Sequence, residues 1–283
     1  EEGDSAPLPD RITYTAVIHT LKASEQAGAG QQAQDLLEEM WDRSKEYPVI
    51  RPNYLTYDAV IGTWANRGNL SGARNAEKCL REMWKLYKDG DESVMPDQEI
   101  YKTVITGWAK ASLQDSGGEA ERLLRELWET SKTFPELKPT LSVYNGVMNA
   151  WAKTYTEDAG ENAERILREI WQRYNDDGDM DLVPDYNLYN LAISAWSNSL
   201  HNDAGARAES LLEEMNEIHR NRGDELDMEP NSLTYTNVMN AWERSSDPEA
   251  LEHRQKLRQY MSQPQETMVS SFEEATGILN SVL

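Results

Sequence analysis

Histidine, cysteine and clustered acid carry most protein chemistry, and here they are sparse or scattered. The four histidines, His19, His201, His219 and His253, share no ligand spacing. Cys79 is the only cysteine, which excludes an internal disulfide and any multi-cysteine metal site. The densest acid is the segment 175–181, NDDGDMD, with four Asp around Gly178. A calcium loop of the EF-hand kind needs Gly at its sixth place and Glu at its twelfth. Counted from Gly178 the twelfth residue is Pro184, so the segment reads as a solvated acidic loop. No Gly-rich phosphate loop, nucleophile elbow or repeated carboxylate pair is present. No catalytic residue, metal ligand or cofactor is expected. What recurs is a cation: Lys110, Lys153 and Arg244 each stand fourteen residues after a proline. A cation there suits contact with successive phosphates, and equally suits the negative end of a helix.

The elements that position these residues follow from a repeat. Pro9, Pro52, Pro96, Pro139, Pro184 and Pro230 are spaced by 43 to 46 residues, and five residues after each stands a tyrosine: Tyr14, Tyr57, Tyr101, Tyr144, Tyr189 and Tyr235. Apolar pairs follow three and four residues later, as in Val60/Ile61 and Val104/Ile105. Leu21 in the first unit, then Trp64, Trp108, Trp151, Trp196 and Trp242, come seven residues after the tyrosine. That spacing is one stripe of an α-helix, helix A. A second amphipathic helix, B, begins with Ala33, Ala76, Ala120, Ala163 and Ala208, and Trp41, Trp84, Trp128 and Trp171 close its face. All nine tryptophans thus fall on two equivalent positions. Gly-rich stretches such as 66–72 and 113–118 read as A–B turns, and charged stretches such as 88–95 as tails between units. The proline suits the start of a helix, where its missing N–H is not needed. The Glu38/Glu39 and Glu213/Glu214 pairs read as a solvated face, and Cys79 as a small buried apolar group. Residues 1–8 form an N-terminal tail and 9–262 six helical hairpins. In 263–283, Ser271 and Glu274 offer a capping box for a last helix, a cap or a truncated seventh unit. Each hairpin is too small to bury its own stripe, so stacking must build the core, and an all-α solenoid is expected.

The 283-residue chain carries 28 Lys+Arg and 50 Asp+Glu, a net charge of −22, which argues against a simple basic nucleic-acid binder. The charge is uneven. The helix A segments hold six Lys/Arg (Arg11, Lys22, Lys102, Lys110, Lys153, Arg244) and three Asp/Glu (Asp58, Glu99, Glu243), a net +3 that leaves −25 elsewhere. No apolar run approaches the roughly 18 residues of a membrane helix. No secretory or transit peptide is recognisable.

The period alone lies in the HEAT and armadillo range. The motif points elsewhere. PDRITYTAVIHTL (9–21), PNYLTYDAVIGTWA (52–65) and PNSLTYTNVMNAWE (230–243), with AQDLLEEM and AESLLEEM on helix B, resemble the pentatricopeptide-repeat family over about 9–262. These units are longer than that family's, which run to the mid-thirties. The resemblance implies a right-handed superhelical α-solenoid of helix–turn–helix repeats. It also implies single-stranded RNA binding in mitochondria or plastids, one base per repeat. Base choice would lie with the residue after the helix A tyrosine and the residue after the next proline. The implied pairs are Thr15 with Asn53, Asp58 with Asp97, Lys102 with Thr140, Asn145 with Asp185, and Asn190 with Asn231; Thr236 has no clear partner. The first pair is associated with adenine, Asn145/Asp185 with uracil and Asn190/Asn231 with a pyrimidine; the other two are off the usual code. An aliphatic residue two before the tyrosine would sandwich the bases. Ile12, Leu55 and Leu233 fit that role, whereas Glu99, Ser142 and Asn187 do not. Two other readings stand beside this one: an acidic scaffold that holds a protein partner on the same surface, and the recognition array of a longer enzyme. Neither involves a membrane.

Overall fold

The structure is a computed structural model that describes residues 9–24, 26–245 and 247–261. Among these the chain is all-α, with twelve helices and no strand, and within each of two units the helices pack against their neighbours in sequence order. The expected N-terminal tail and last helix lie outside the described residues. Two compact units divide the chain, one ending at Lys153 and the other starting at Thr154. The first holds α1 (Arg11–Lys22), α2 (Ala29–Ser44), α3 (Tyr54–Ala65), α4 (Leu70–Lys88), α5 (Gln98–Ala111), α6 (Ser116–Ser131) and α7 (Leu141–Ala152). The second holds α8 (Ala159–Asn175), α9 (Tyr186–Asn198), α10 (Ala204–Arg222), α11 (Ser232–Arg244) and α12 (Ala250–Met261). In the first unit the A helices α1, α3, α5 and α7 pack one on the next, and α2, α4 and α6 each pack between two of them. In the second, α9 packs on α11, with α8 and α10 against them and α12 on α11.

Helix A begins where an Asn or Asp can accept backbone N–H groups that have no partner inside the helix. Asn53 accepts from Thr56, Asp97 from Ile100, Asp185 from Leu188, and Asn231 from Leu233 and Thr234, each from extended backbone. The proline therefore stands one residue before the cap, outside the helix, and not at its first position. Its ring is buried at Pro52, Pro96, Pro139 and Pro184.

The stretches read as charged tails each contain a short 3-10 turn that presents one aliphatic side chain inward. Ile50, Val94, Leu137 and Leu182 are fully buried there. The turn packs on the B helix before it and plugs the end of the hairpin.

The Gly-rich stretches are not all turn. Gly30, Gly117, Gly160 and Gly205 lie in the first turn of a B helix beneath Trp64, Trp151, Trp196 and Trp242; a Cβ at any of them would come within 2.6 Å of the indole ring. The B helices start four to six residues before the expected alanines, which lie one turn or more inside; Ala33, Ala76, Ala120, Ala163 and Ala208 are all fully buried, as expected for close helix approach.

Glu39 and Glu214, the second glutamates of the two pairs, each accept a tyrosine hydroxyl while staying part-exposed, and Glu82 and Glu126 accept one in their own repeats. Tyr14 donates to Glu39 at 2.8 Å, Tyr57 to Glu82 at 2.8 Å, Tyr101 to Glu126 at 2.8 Å and Tyr189 to Glu214 at 2.6 Å, always 25 residues on. Three of these phenols, and Tyr144, accept the indole N–H of the preceding B helix: Trp41 to Tyr57 (3.1 Å), Trp84 to Tyr101 (2.9 Å), Trp128 to Tyr144 (2.9 Å) and Trp171 to Tyr189 (2.9 Å). Burial, then the Glu82 charge, raises the Tyr57 pKa above the ordinary phenol range and keeps it a neutral donor. The tryptophans at the end of helix A donate to a different glutamate: Trp108 to Glu77, Trp151 to Glu121, Trp196 to Glu164 and Trp242 to Glu209. Arginines cross from one B helix to the next, Arg81 to Glu126 and Arg122 to Glu77 in the first unit, Arg168 to Glu214 and Arg207 to Glu164 in the second. Neighbouring repeats are thus joined by polar bonds as well as by apolar burial.

Candidate nucleic-acid interface

The helix A register places the residue after each tyrosine next to the buried stripe, on its edge. Thr15, Asp58, Lys102 and Asn145 occupy that position on α1, α3, α5 and α7, four consecutively packed helices, and all four are half-buried. They are held by neighbours. The Thr15 hydroxyl lies 3.1 Å from that of Thr56, which donates to the Asn53 side chain at 3.3 Å, so Thr15 and Asn53 are linked through Thr56. Lys22 reaches Asp58 at 3.4 Å across the first two A helices. Asp97 both caps α5 and accepts the Tyr54 hydroxyl at 2.9 Å. Lys102 is paired with Glu99 on its own helix. Thr140 makes no cap bond and stands 3.0 Å from the Ser142 hydroxyl.

In the second unit Asp185 caps α9 while burial, opposed by the Leu188 N–H, and the nearby Asp227 charge hold its carboxyl above the usual range. Asn190 is only 5% exposed, and its side-chain oxygen has no hydrogen-bond partner. Asn231 is exposed and spent on capping α11; Thr236 donates to the Ser232 carbonyl of its own helix. Asn145 and Asp185 belong to different units.

The three repeated cations divide. Lys110 reaches the Asn66 side chain at the end of α3 (2.6 Å), and Arg244 the Ser197 carbonyl at the end of α9 (2.8 Å). Each thus ties the end of its own A helix to the end of the one before. Lys153 is half-buried at the end of α7.

The three aliphatic residues two before the tyrosine stand out of the core: Ile12 is 75% exposed, Leu55 57% and Leu233 57%. Leaving them in water forgoes burial worth about 1.5–3 kcal/mol for each side chain. Cys79 is buried and its thiol is pushed up to about 12 by burial, then by Glu82, which makes it unreactive. No group of three or more His, Cys, Asp or Glu with metal-holding geometry occurs among the described residues, and no described helix is long and apolar enough to cross a membrane.

Sequence reasoning missed that the residue after the proline is a helix cap and that Lys22 neutralises Asp58. The first had a signal, an Asn or Asp three residues before a backbone N–H that needs an acceptor. The second had none, because it joins residues 36 apart. Comparison with family models, with curated proteins and with solved structures finds no match to this chain.

Proposed function

We propose that the chain is a non-catalytic helical-repeat protein of pentatricopeptide type, a right-handed superhelical solenoid that binds single-stranded RNA along its A helices. The proposed setting is RNA metabolism in a mitochondrion or plastid. The observation that carries the reading is the exposure of Ile12 and Leu55 beside the half-buried Thr15 and Asp58, with Leu233 in the same place on α11. Aliphatic surface next to hydrogen-bonding side chains suits a base, whose face needs apolar contact and whose edge needs donors and acceptors. The buried, unpartnered Asn190 oxygen adds an acceptor of the same kind.

A second reading, a scaffold that holds a protein segment on the same helices, is favoured by two observations. Asp58 and Lys102 already have charge partners in Lys22 and Glu99, and the net charge of −22 opposes a polyanion.

Selection from a random single-stranded RNA pool at near-physiological salt separates the two. The RNA reading expects enrichment of short motifs, and binding that weakens with salt at a log–log slope of about −2, since roughly three cations meet phosphates. Leu55→Asp should remove that enrichment while leaving the fold intact. A flat selection profile with stable, folded protein favours the scaffold.

A further inference from the structure

The Trp-to-Tyr bond between successive repeats is made four times and then stops. At the place of Trp41, Trp84, Trp128 and Trp171, helix α10 carries Asn216, and the next tyrosine is Tyr235. A cavity of about 370 Å³ opens there, lined by Asn216, His219, Asp227, Glu229, Tyr235 and Met261 among others.

Two of its lining positions, those of His219 and Glu229, stand beside an indole in other repeats. Tyr87 and Tyr174 set their edges against Trp84 and Trp171, and His219 holds their position three residues on. Arg51, the residue before Pro52, lies over the Trp41 ring at 5.2 Å. The residue before Pro230 is Glu229, so the cation over the ring is replaced by a carboxylate. Asp227 adds a second at the rim, and both are exposed. Inside, the Asn216 side-chain nitrogen is buried with no hydrogen-bond partner.

We infer that this cavity is a binding site for an indole-like aryl group that bears a positive charge. The ring takes the place of the absent tryptophan. Its edge lies against Tyr235, which lines the cavity. The Asn216 amide N–H points to the π face. The attached ammonium lies near Asp227 and Glu229. The size suits a small aromatic amine. The same chemistry is also offered by a tryptophan flanked by lysines in a polypeptide. Asn231, one of the residues assigned to base choice, also lines the cavity, but the inference does not rest on RNA binding.

Saturation-transfer NMR on the full chain tests it with tryptamine, with acetyl-Lys-Trp-Lys-amide, and with indole-3-acetate as the anionic control. Tryptamine, the peptide or both should give signal. The better of them should bind about tenfold more tightly than indole-3-acetate, because the two carboxylates attract one charge and repel the other. Tryptamine alone points to a free aryl amine, and the peptide alone to a partner's side chain. Asn216→Trp should fill the cavity and abolish the signal while raising the melting temperature. Glu229→Gln, at the exposed rim, should narrow the preference for the cation without changing stability. Absence of signal from both cationic probes overturns the proposal, as does equal binding of indole-3-acetate or binding that survives in Asn216→Trp.

Discussion

The indole N–H of Trp84 on α4 donates to the Tyr101 hydroxyl of α5 at 2.9 Å, and that hydroxyl donates to Glu126 of α6 at 2.8 Å. One phenol therefore joins two repeats, taking a proton from the B helix before it and giving one to the B helix after it. Arg81, one turn before Trp84, closes the circuit on Glu126. The Trp84 bond is buried and the Glu126 bond half-buried, and a buried donor left without an acceptor costs about 1–3 kcal/mol. Tyr101→Phe keeps the ring and removes both bonds. It should destabilise the first unit by about 2 kcal/mol, seen as a lower urea midpoint with an unchanged slope. A loss below a few tenths of a kcal/mol would mean that water replaces the phenol and the relay contributes little.

Trp64 is the case in which the second set of bonds fails. Trp108, Trp151, Trp196 and Trp242 all donate to a helix B glutamate, but the residue in that place for Trp64 is Gln34, whose oxygen faces the Cys79 thiol. The Trp64 indole nitrogen is buried and unpartnered. Gln34→Glu should supply a charged acceptor and stabilise the unit by about 1 kcal/mol, the lower end of what a hydrogen bond to a charge contributes, less a small repulsion from Glu38 one turn on. The gain should vanish when Trp64 is already Phe, which a double-mutant cycle measures directly. Persistence of the gain in that background would assign it to some other effect.

The two relays show which part of the architecture the sequence exposes. Periodicity within a helix is set by its own 3.6-residue turn, so the Tyr14–Ile18 stripe and the B-helix faces were legible from spacing alone. The polar bonds run between helices, and their register depends on loop length. The constant 25-residue step from Tyr57 to Glu82 and from Tyr101 to Glu126 was present in the sequence, yet a charged pair on an amphipathic helix reads as solvent-facing. Gly117 was read as turn because glycine in isolation signals one; its place under Trp151 requires knowing where that ring lands. The candidate interface was half legible. The edge positions of Thr15, Asp58 and Lys102 follow from the stripe, whereas the capping of α3 by Asn53 and the Lys22–Asp58 bridge decide how free those groups are.

Acid should act on the two units differently. Burial disfavours the charge of Glu77, but hydrogen bonds and charge from Arg122, then Arg81 and Trp108, outweigh it and hold the carboxyl below its ordinary 4.5. A lowered folded-state pKa contributes stability above the unfolded value, lost as pH falls through the folded one. Glu214, held down against burial by Arg168 and Tyr189, behaves alike. Asp185 and Glu213, in the second unit, are raised by burial, with Asp227 and Glu209 adding repulsion, so their contribution is present at low pH and lost as pH rises through the folded value. Acidification from neutrality should first relieve the second unit, then weaken both below about pH 4.5. Glu77→Gln should lower stability at pH 7 and flatten the acid limb of the first unit. Urea midpoints against pH check this, and an unchanged acid limb in the variant would remove Glu77 from the account.

Adjacent glycines give the sharpest contrast between packing and backbone entropy. Gly117 and Gly118 both lie in the first turn of α6, where either alanine improves helix propensity by up to about 1 kcal/mol. A Cβ on Gly118 meets nothing within 4 Å, so Gly118→Ala should stabilise by roughly that amount. A Cβ on Gly117 falls 2.3 Å from the Trp151 ring, a rigid group whose N–H is already fixed on Glu121. Gly117→Ala must push that ring outward, which costs about 1–3 kcal/mol in a packed core and strains the Glu121 bond. Repeat two shows how the clash is relieved. There Ala73 holds the equivalent place, fully buried, and Trp108 still reaches Glu77 at 3.1 Å, so a ring seated slightly higher is compatible with the relay. The two substitutions should therefore move the urea midpoint in opposite directions, and Trp151 fluorescence should shift only for Gly117→Ala. If both stabilise equally, the indole does not rest on that glycine and the packing of α6 against α7 is looser than the contact implies.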